Sequence, residues 1–344
     1  MPIIPLKCPN CGGDITVDSS KEAAICSCCG QPYIVKDAIV QNYITNVTNI
    51  TADTVNVFSE KDFEIKAGRL VKYNGESDRV QIPPSVKIIG SDAFSKMPIV
   101  SVEIPDSVVK IEGNAFSDCS LLTDIVIPNS VTEIGWPAFQ GCSSLKKVVL
   151  PNRLTVNGRY VFYCAFSGCS SLQDITIPDG VTSIGEQAFY GCRSLQTIKI
   201  PDSVTRIEEK AFSGCSSLQK VAIPEGVRFI AERAFEGCSS LQEVTIPDGV
   251  TEIDSLAFYG CSSLQTIEIP PSVTMIGSSA FYKCSSLTNV TLPDSGIEIV
   301  NKVFSDTPLE KIWENSNVCV YCGGEYGGLF SKRCRRCGKP KHYS

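Results

Sequence analysis

Apolar and polar positions recur along most of the chain with a fixed long period. In Leu218-Gln219-Lys220-Val221-Ala222-Ile223-Pro224, Val221 and Ile223 alternate with Lys220 and Ala222. That alternation is the period of two of a short strand. Pro224 then ends the strand, because proline has no N–H to give to a ladder. Val227 and Ile230 turn inward on the next side of the coil, and Ala234-Phe235 predicts a brief helical or 3₁₀ turn that Gly237 closes. The aliphatic-proline pair returns at Pro83, Pro105, Pro128, Pro151, Pro178, Pro201, Pro224, Pro247, Pro270 and Pro293. A phenylalanine returns in step, from Phe94 to Phe304; the step is 23 residues, except for one of 22 and one of 27. One such coil cannot cover its own apolar face. Stacking coils at ~4.8 Å covers it, so about ten coils span roughly 45–50 Å.

The chain has 18 cysteines in three groups. Cys8/Cys11 and Cys26/Cys29 form two C-x-x-C-G knuckles near the start, and Cys319/Cys322 and Cys334/Cys337 form two near the end. A two-residue gap lets both sulfurs of a tight turn face one ion, and two knuckles supply the four thiolates of tetrahedral zinc. The expectation is a structural zinc ribbon at each end, two ions in all. Four cysteines close the coordination shell and leave no position for catalytic water. Cys28 is a spare that could replace Cys26. Disulfides or free thiols are the other readings of both modules. Cys119, Cys142, Cys169, Cys192, Cys215, Cys238, Cys261 and Cys284 share one repeat position. They read as a buried ladder in which cysteine is a small hydrophobe with a weak donor. A ladder of disulfides is the alternative, disfavoured by the poor Cβ geometry of identically oriented side chains. Cys164 lies off this ladder.

The repeat unit IPxxVxxIGxxAFxGCSSLxxIxI, recurring about ten times over residues 63–312, strongly resembles the BspA-type, or treponemal, leucine-rich repeats. The resemblance implies a mainly-β solenoid of the α/β type, right-handed and curved, with a parallel sheet on its concave side. It also implies binding rather than catalysis; many relatives are exported bacterial surface proteins that bind host proteins. The expected division is a zinc ribbon at 1–36, an extended β-rich linker or edge structure at 37–62, the solenoid at 63–312, and a zinc ribbon with a basic tail at 313–344. Residues 63–82 read as an atypical first coil, with a hairpin signal at Tyr73-Asn74-Gly75.

Composition narrows the chemistry. The single histidine, His342, leaves almost no material for Ser-His-Asp or Cys-His catalysis. No apolar run reaches the ~18 residues of a membrane span. The start carries no basic-then-apolar leader, so a cytoplasmic setting is expected, with export as the alternative. Asn46-Val-Thr48 and Asn49-Ile-Thr51 match glycosylation sequons, read as chance without secretion.

The 27-residue step inserts four residues near 152–163. Arg153, Arg159, Tyr160, Phe162 and Tyr163 combine arginine with aromatics, the types enriched in binding hot spots. Two readings stand: a partner-binding bulge, or a loop whose aromatics fold back on the core. On the sheet, Lys147, Lys199 and Lys220 are outward candidates for partner contact, among small or mixed-sign neighbours. Residues 331–344 carry six basic residues and no acid, against a whole-chain charge of −6. Arg333, Arg335, Arg336 and Lys339 could therefore meet phosphates. The expected function is a non-enzymatic scaffold binding a protein partner. The alternatives are a nucleic-acid-associated protein and an exported adhesin.

Overall fold

The computed structural model describes residues 60–152, 154, 162–293, 297–315, 319 and 324, together with six short strands before residue 56. Two compact units result: residues 1–64 with 73–75, and residues 65–72 with 76–344.

In the first unit Ile3–Lys7 pairs antiparallel with Asp14–Asp18, Ala23–Ile25 with Pro32–Ile34, and Ile50–Thr51 with Thr54–Val55. Phe63 and Tyr73 pack ring to ring at 5.1 Å.

The second unit is a mainly-β parallel solenoid of about ten turns. Its first row of strands runs from Arg79–Gln81 through Ser101–Glu103, Asp124–Val126, Lys147–Val149 and Asp174–Ile175. The row resumes at Lys220–Ala222 with Glu243–Thr245, and again at Thr266–Glu268 with Asn289–Thr291. A lone bridge joins Thr197 to Lys220. The expected alternation holds: Lys220 and Ala222 are exposed, while Val221 and Ile223 are buried.

A second parallel row lies one side further round each coil, at Ile88–Ile89, Lys110–Ile111 and Glu133–Ile134, and then from Ser183–Ile184 to Glu298–Ile299. The sequence reading placed these aliphatics inward without assigning them to strands. Two-residue segments are too short to show a period, and only stacking makes them a sheet. At the third side, where a brief helical or 3₁₀ turn is expected, the chain makes a run of tight turns with hydrogen bonds three residues back, as from Ala234 N–H to the Ala231 carbonyl at 3.1 Å. There the phenylalanine N–H groups from Phe94 to Phe258 donate to the alanine carbonyl one coil on, as in Phe212 to Ala234 at 2.8 Å, and Phe281 donates to Val303. Gly237 does close its turn, with φ of 68°. The hairpin expected at Tyr73-Asn74-Gly75 falls at Ala67-Gly68, whose φ values of 49° and 76° give the left-handed pair such a turn needs.

The core is a set of side-chain ladders. Phe94 to Phe304 stack continuously, with centroids 5.0 to 5.7 Å apart and planes within 10°. Beside them the eight ladder cysteines are wholly buried and unbridged, as the reading as small hydrophobes expects. Each thiol donates to the phenylalanine carbonyl of the preceding coil at 3.0 to 3.3 Å. After residue 307 the helix Pro308–Asn315 follows the last coil, with Leu309 buried.

Candidate interaction surface

The strand rows hold outward side chains in straight columns, one residue per coil. On the first row Lys147 stands in register between Asp124 and Asp174, and Lys220 between Thr197 and Glu243. Lys220 bonds Glu243 at 2.6 Å, both well exposed, so the pair adds little to stability. Lys147 and Lys199 are exposed as expected. Val126 and Val149 are adjacent in register and remain 60% and 41% exposed. Two neighbouring valines left in water on a sheet are a feature that packing within the coil does not require.

The 152–163 region divides. Phe162 is not a surface residue: it is buried and packs at 5.8 Å on Phe166 of the phenylalanine ladder. The extra length of this coil lets its aromatic fold back, and burial of a phenyl ring outweighs exposure by about 2 kcal/mol. Tyr163 is half-buried and meets Trp136 edge-on, at 5.3 Å and 66°. Trp136 is 56% exposed. The sequence reading overlooked it, although Gly135-Trp136-Pro137 departs visibly from the other coils. Arg153, Arg159 and Tyr160 lie outside the described residues.

The first row is not continuous. No backbone ladder joins Glu243–Thr245 to Thr266–Glu268 among the described residues. A cavity of about 410 Å³ opens there, lined by Glu243, Thr245, Asp248, Thr266, Glu268 and Pro270. Val244 is half-buried in this slot, where the equivalent Val221 is fully buried.

Of the eight expected zinc ligands, Cys319 is described. It is buried, and its N–H donates to the Gly324 carbonyl at 2.9 Å. Cys8, Cys11, Cys26, Cys29, Cys322, Cys334 and Cys337 lie outside the described residues. The first two pairs fall in the connections between paired strands, 8–13 and 26–31. Arg333, Arg335, Arg336 and Lys339 also lie outside. Among the described residues no three histidine, cysteine or acidic side chains gather as a metal site. No described helix is long and apolar enough to cross a membrane.

The ladder thiols are poor nucleophiles. Burial pushes Cys119, Cys169, Cys215 and Cys284 up to about 12 and raises Cys142, Cys192, Cys238 and Cys261 as well. Since the thiolate is the reactive form, these groups are structural. Cys164 is half-buried and its thiol is raised by burial and then by the charge of Glu186.

Residues 72–164, 163–261 and 206–320 match a family model described as a BspA type leucine rich repeat region, in six copies. The fold is similar to that of a leucine rich cell surface protein from Faecalibacterium prausnitzii. The two are 30% identical with a TM-score of 0.56, over 74% of this chain and 81% of that one. It is also similar to a leucine-rich repeat protein from Bacteroides ovatus, at 26% identity and a TM-score of 0.51, over 76% of this chain and 67% of that one. No curated protein matches.

Proposed function

The chain belongs to the BspA-type leucine-rich repeat family, and on that premise we propose that it is a non-enzymatic scaffold binding a protein partner through its solenoid. The observation that carries this reading is the in-register pair Val126 and Val149, exposed beside Lys147 on the first strand row. Apolar side chains ringed by charge are the composition of an interface core with a polar rim. The test is capture of partners by the full chain, compared with the double variant Val126→Glu/Val149→Glu. Loss of the captured protein with an unchanged melting curve supports the reading. Undiminished capture removes this face. Turnover that depends on solenoid residues would overturn the non-enzymatic reading.

The end modules are proposed to be zinc ribbons that stabilise segments too short for cores of their own. Knuckles that fall in sequence between the strands of two antiparallel pairs, and the burial of Cys319, support this. Structural zinc is worth roughly 10–16 kcal/mol in finger peptides. Two zinc ions per chain, with ten of the 18 cysteines titrating as thiols after unfolding in the metal-bound state, is the expected result. No zinc and few free thiols would replace the ribbons with disulfides and favour an exported setting. The cell-surface description of the Faecalibacterium relative favours that setting as a second reading.

A further inference from the structure

The first strand row carries charges in one outward column and its two exposed valines in the next. Ser101, Asp124, Lys147 and Asp174 follow one another in register, and Val126 stands in register with Val149. Two other lysines of the strand rows are neutralised by their in-register neighbours. Lys220 bonds Glu243 at 2.6 Å, and on the second row Lys110 bonds Glu133 at 2.8 Å. Lys147 has an acid in register on either side, yet it forms no ion pair with Asp124 or Asp174. None of the three side chains has a hydrogen bond among the described residues. All three are exposed. The row thus presents two valines in water beside a run of unengaged charges that alternate in sign.

Such a run is complementary to its own rotated image. Sheets pack face to face about 10 Å apart with strands nearly aligned. A two-fold axis parallel to the strands, midway between Asp124–Val126 and Lys147–Val149, sets Val126 over Val149 of the partner subunit. It also sets Asp124 over Lys147 of the partner subunit, and symmetry makes each contact twice. An axis through the Lys147 strand would oppose Lys147 to itself, and one through the Asp124 strand would oppose Asp124 to itself. Like charges therefore reject both shifted registers. We propose that Asp124, Val126, Lys147 and Val149 form a two-fold interface with a second copy of this chain. This rests on the scaffold reading above and names the partner of that same face. The face is small, so the dimer is weak and reversible.

Sedimentation of the full chain over roughly 5–500 µM, where weak dimers form and dissociate, is expected to show a monomer–dimer equilibrium. Lys147→Glu should weaken it at least tenfold, because the new carboxylate meets Asp124 of the partner subunit, and Asp124→Lys should do the same. Mixed together, these two variants should form the dimer that neither forms alone, since each offers the other the opposite sign at both contacts. Val126→Thr/Val149→Thr should weaken the dimer at least fivefold. Lys220→Glu, an equal change of charge three coils from Lys147, should alter it less than twofold. The substituted side chains are exposed, so the variants are expected to fold, and melting curves verify this. A monomer at every concentration overturns the dimer. So does a dimer that Lys147→Glu leaves unchanged, or a mixture that fails to restore it. If the chain is monomeric and Val126→Glu/Val149→Glu abolishes capture of a different protein, the scaffold reading stands and this inference falls. A monomer with undiminished capture removes both.

Discussion

The thiol of Cys215 donates across the coil boundary to the carbonyl oxygen of Phe189, at 3.2 Å. The same oxygen accepts the N–H of Cys192 at 3.1 Å. One buried carbonyl thus has both lone pairs filled, one by its own turn and one by the next coil. In the last coil Thr307 takes the cysteine position and its hydroxyl bonds Phe304 of its own turn instead. Each thiol therefore acts as a rung between coils, besides filling volume.

Cys215→Ala should destabilise the protein by about 1–2 kcal/mol, the sum of a lost weak hydrogen bond and a small cavity. Chemical denaturation would measure it. Cys215→Ser should cost less than alanine, because the hydroxyl keeps the donor. A serine variant weaker than the alanine variant would remove the rung interpretation.

Alkaline stability follows from the same burial. The folded ladder thiols titrate far above the usual thiol value, so above about pH 9 the unfolded chain loses protons that the folded chain keeps. Stability is then full below that range and falls as pH rises toward about 12, where Cys119, Cys169, Cys215 and Cys284 ionise. Each such thiol contributes a slope of about −1.4 kcal/mol per pH unit. Denaturation at pH 8 and pH 10 should show the steep fall, with the slope reduced in Cys215→Ala.

Phe212 sits mid-stack, at 5.4 Å from both Phe189 and Phe235. Phe212→Ala should cost about 3–5 kcal/mol. Because stability in a solenoid is close to a sum of nearest-neighbour terms, the damage should divide the array. Limited proteolysis is expected to cut first near the substituted coil, and uniform cutting would contradict this.

Lys96 holds φ of 62° at a turn position where six other coils carry glycine. Lys96→Gly should therefore stabilise by about 1 kcal/mol, read as a raised Tm. Gly214→Ala should do the reverse. Its φ is 75°, a left-handed conformation in which a side chain is strained.

The slot between Glu243–Thr245 and Thr266–Glu268 leaves strand edges without a ladder. Amides of 242–246 and 265–269 should include faster-exchanging positions than 219–223 in hydrogen exchange. Equal protection along the row would mean that the coils close in solution.

The 23-residue period, the alternation at Lys220 to Ile223 and the aligned cysteines specify the stacked coil from the sequence alone. A repeat buries its apolar face in only one way, by placing like on like. The sequence also marks Lys147, Lys199 and Lys220 as outward, since period two leaves them no other side. What it could not determine depends on summed geometry. The first row parts after Asp174–Ile175 and again at Val244, while the second row runs unbroken from Ser183 to Glu298, although the period is 23 residues at all of these places. Nor does composition separate Phe162, drawn onto Phe166, from Trp136, left in water. Both are aromatics near one insertion, and only the space remaining beside the phenylalanine stack assigns one to the core and the other to the surface.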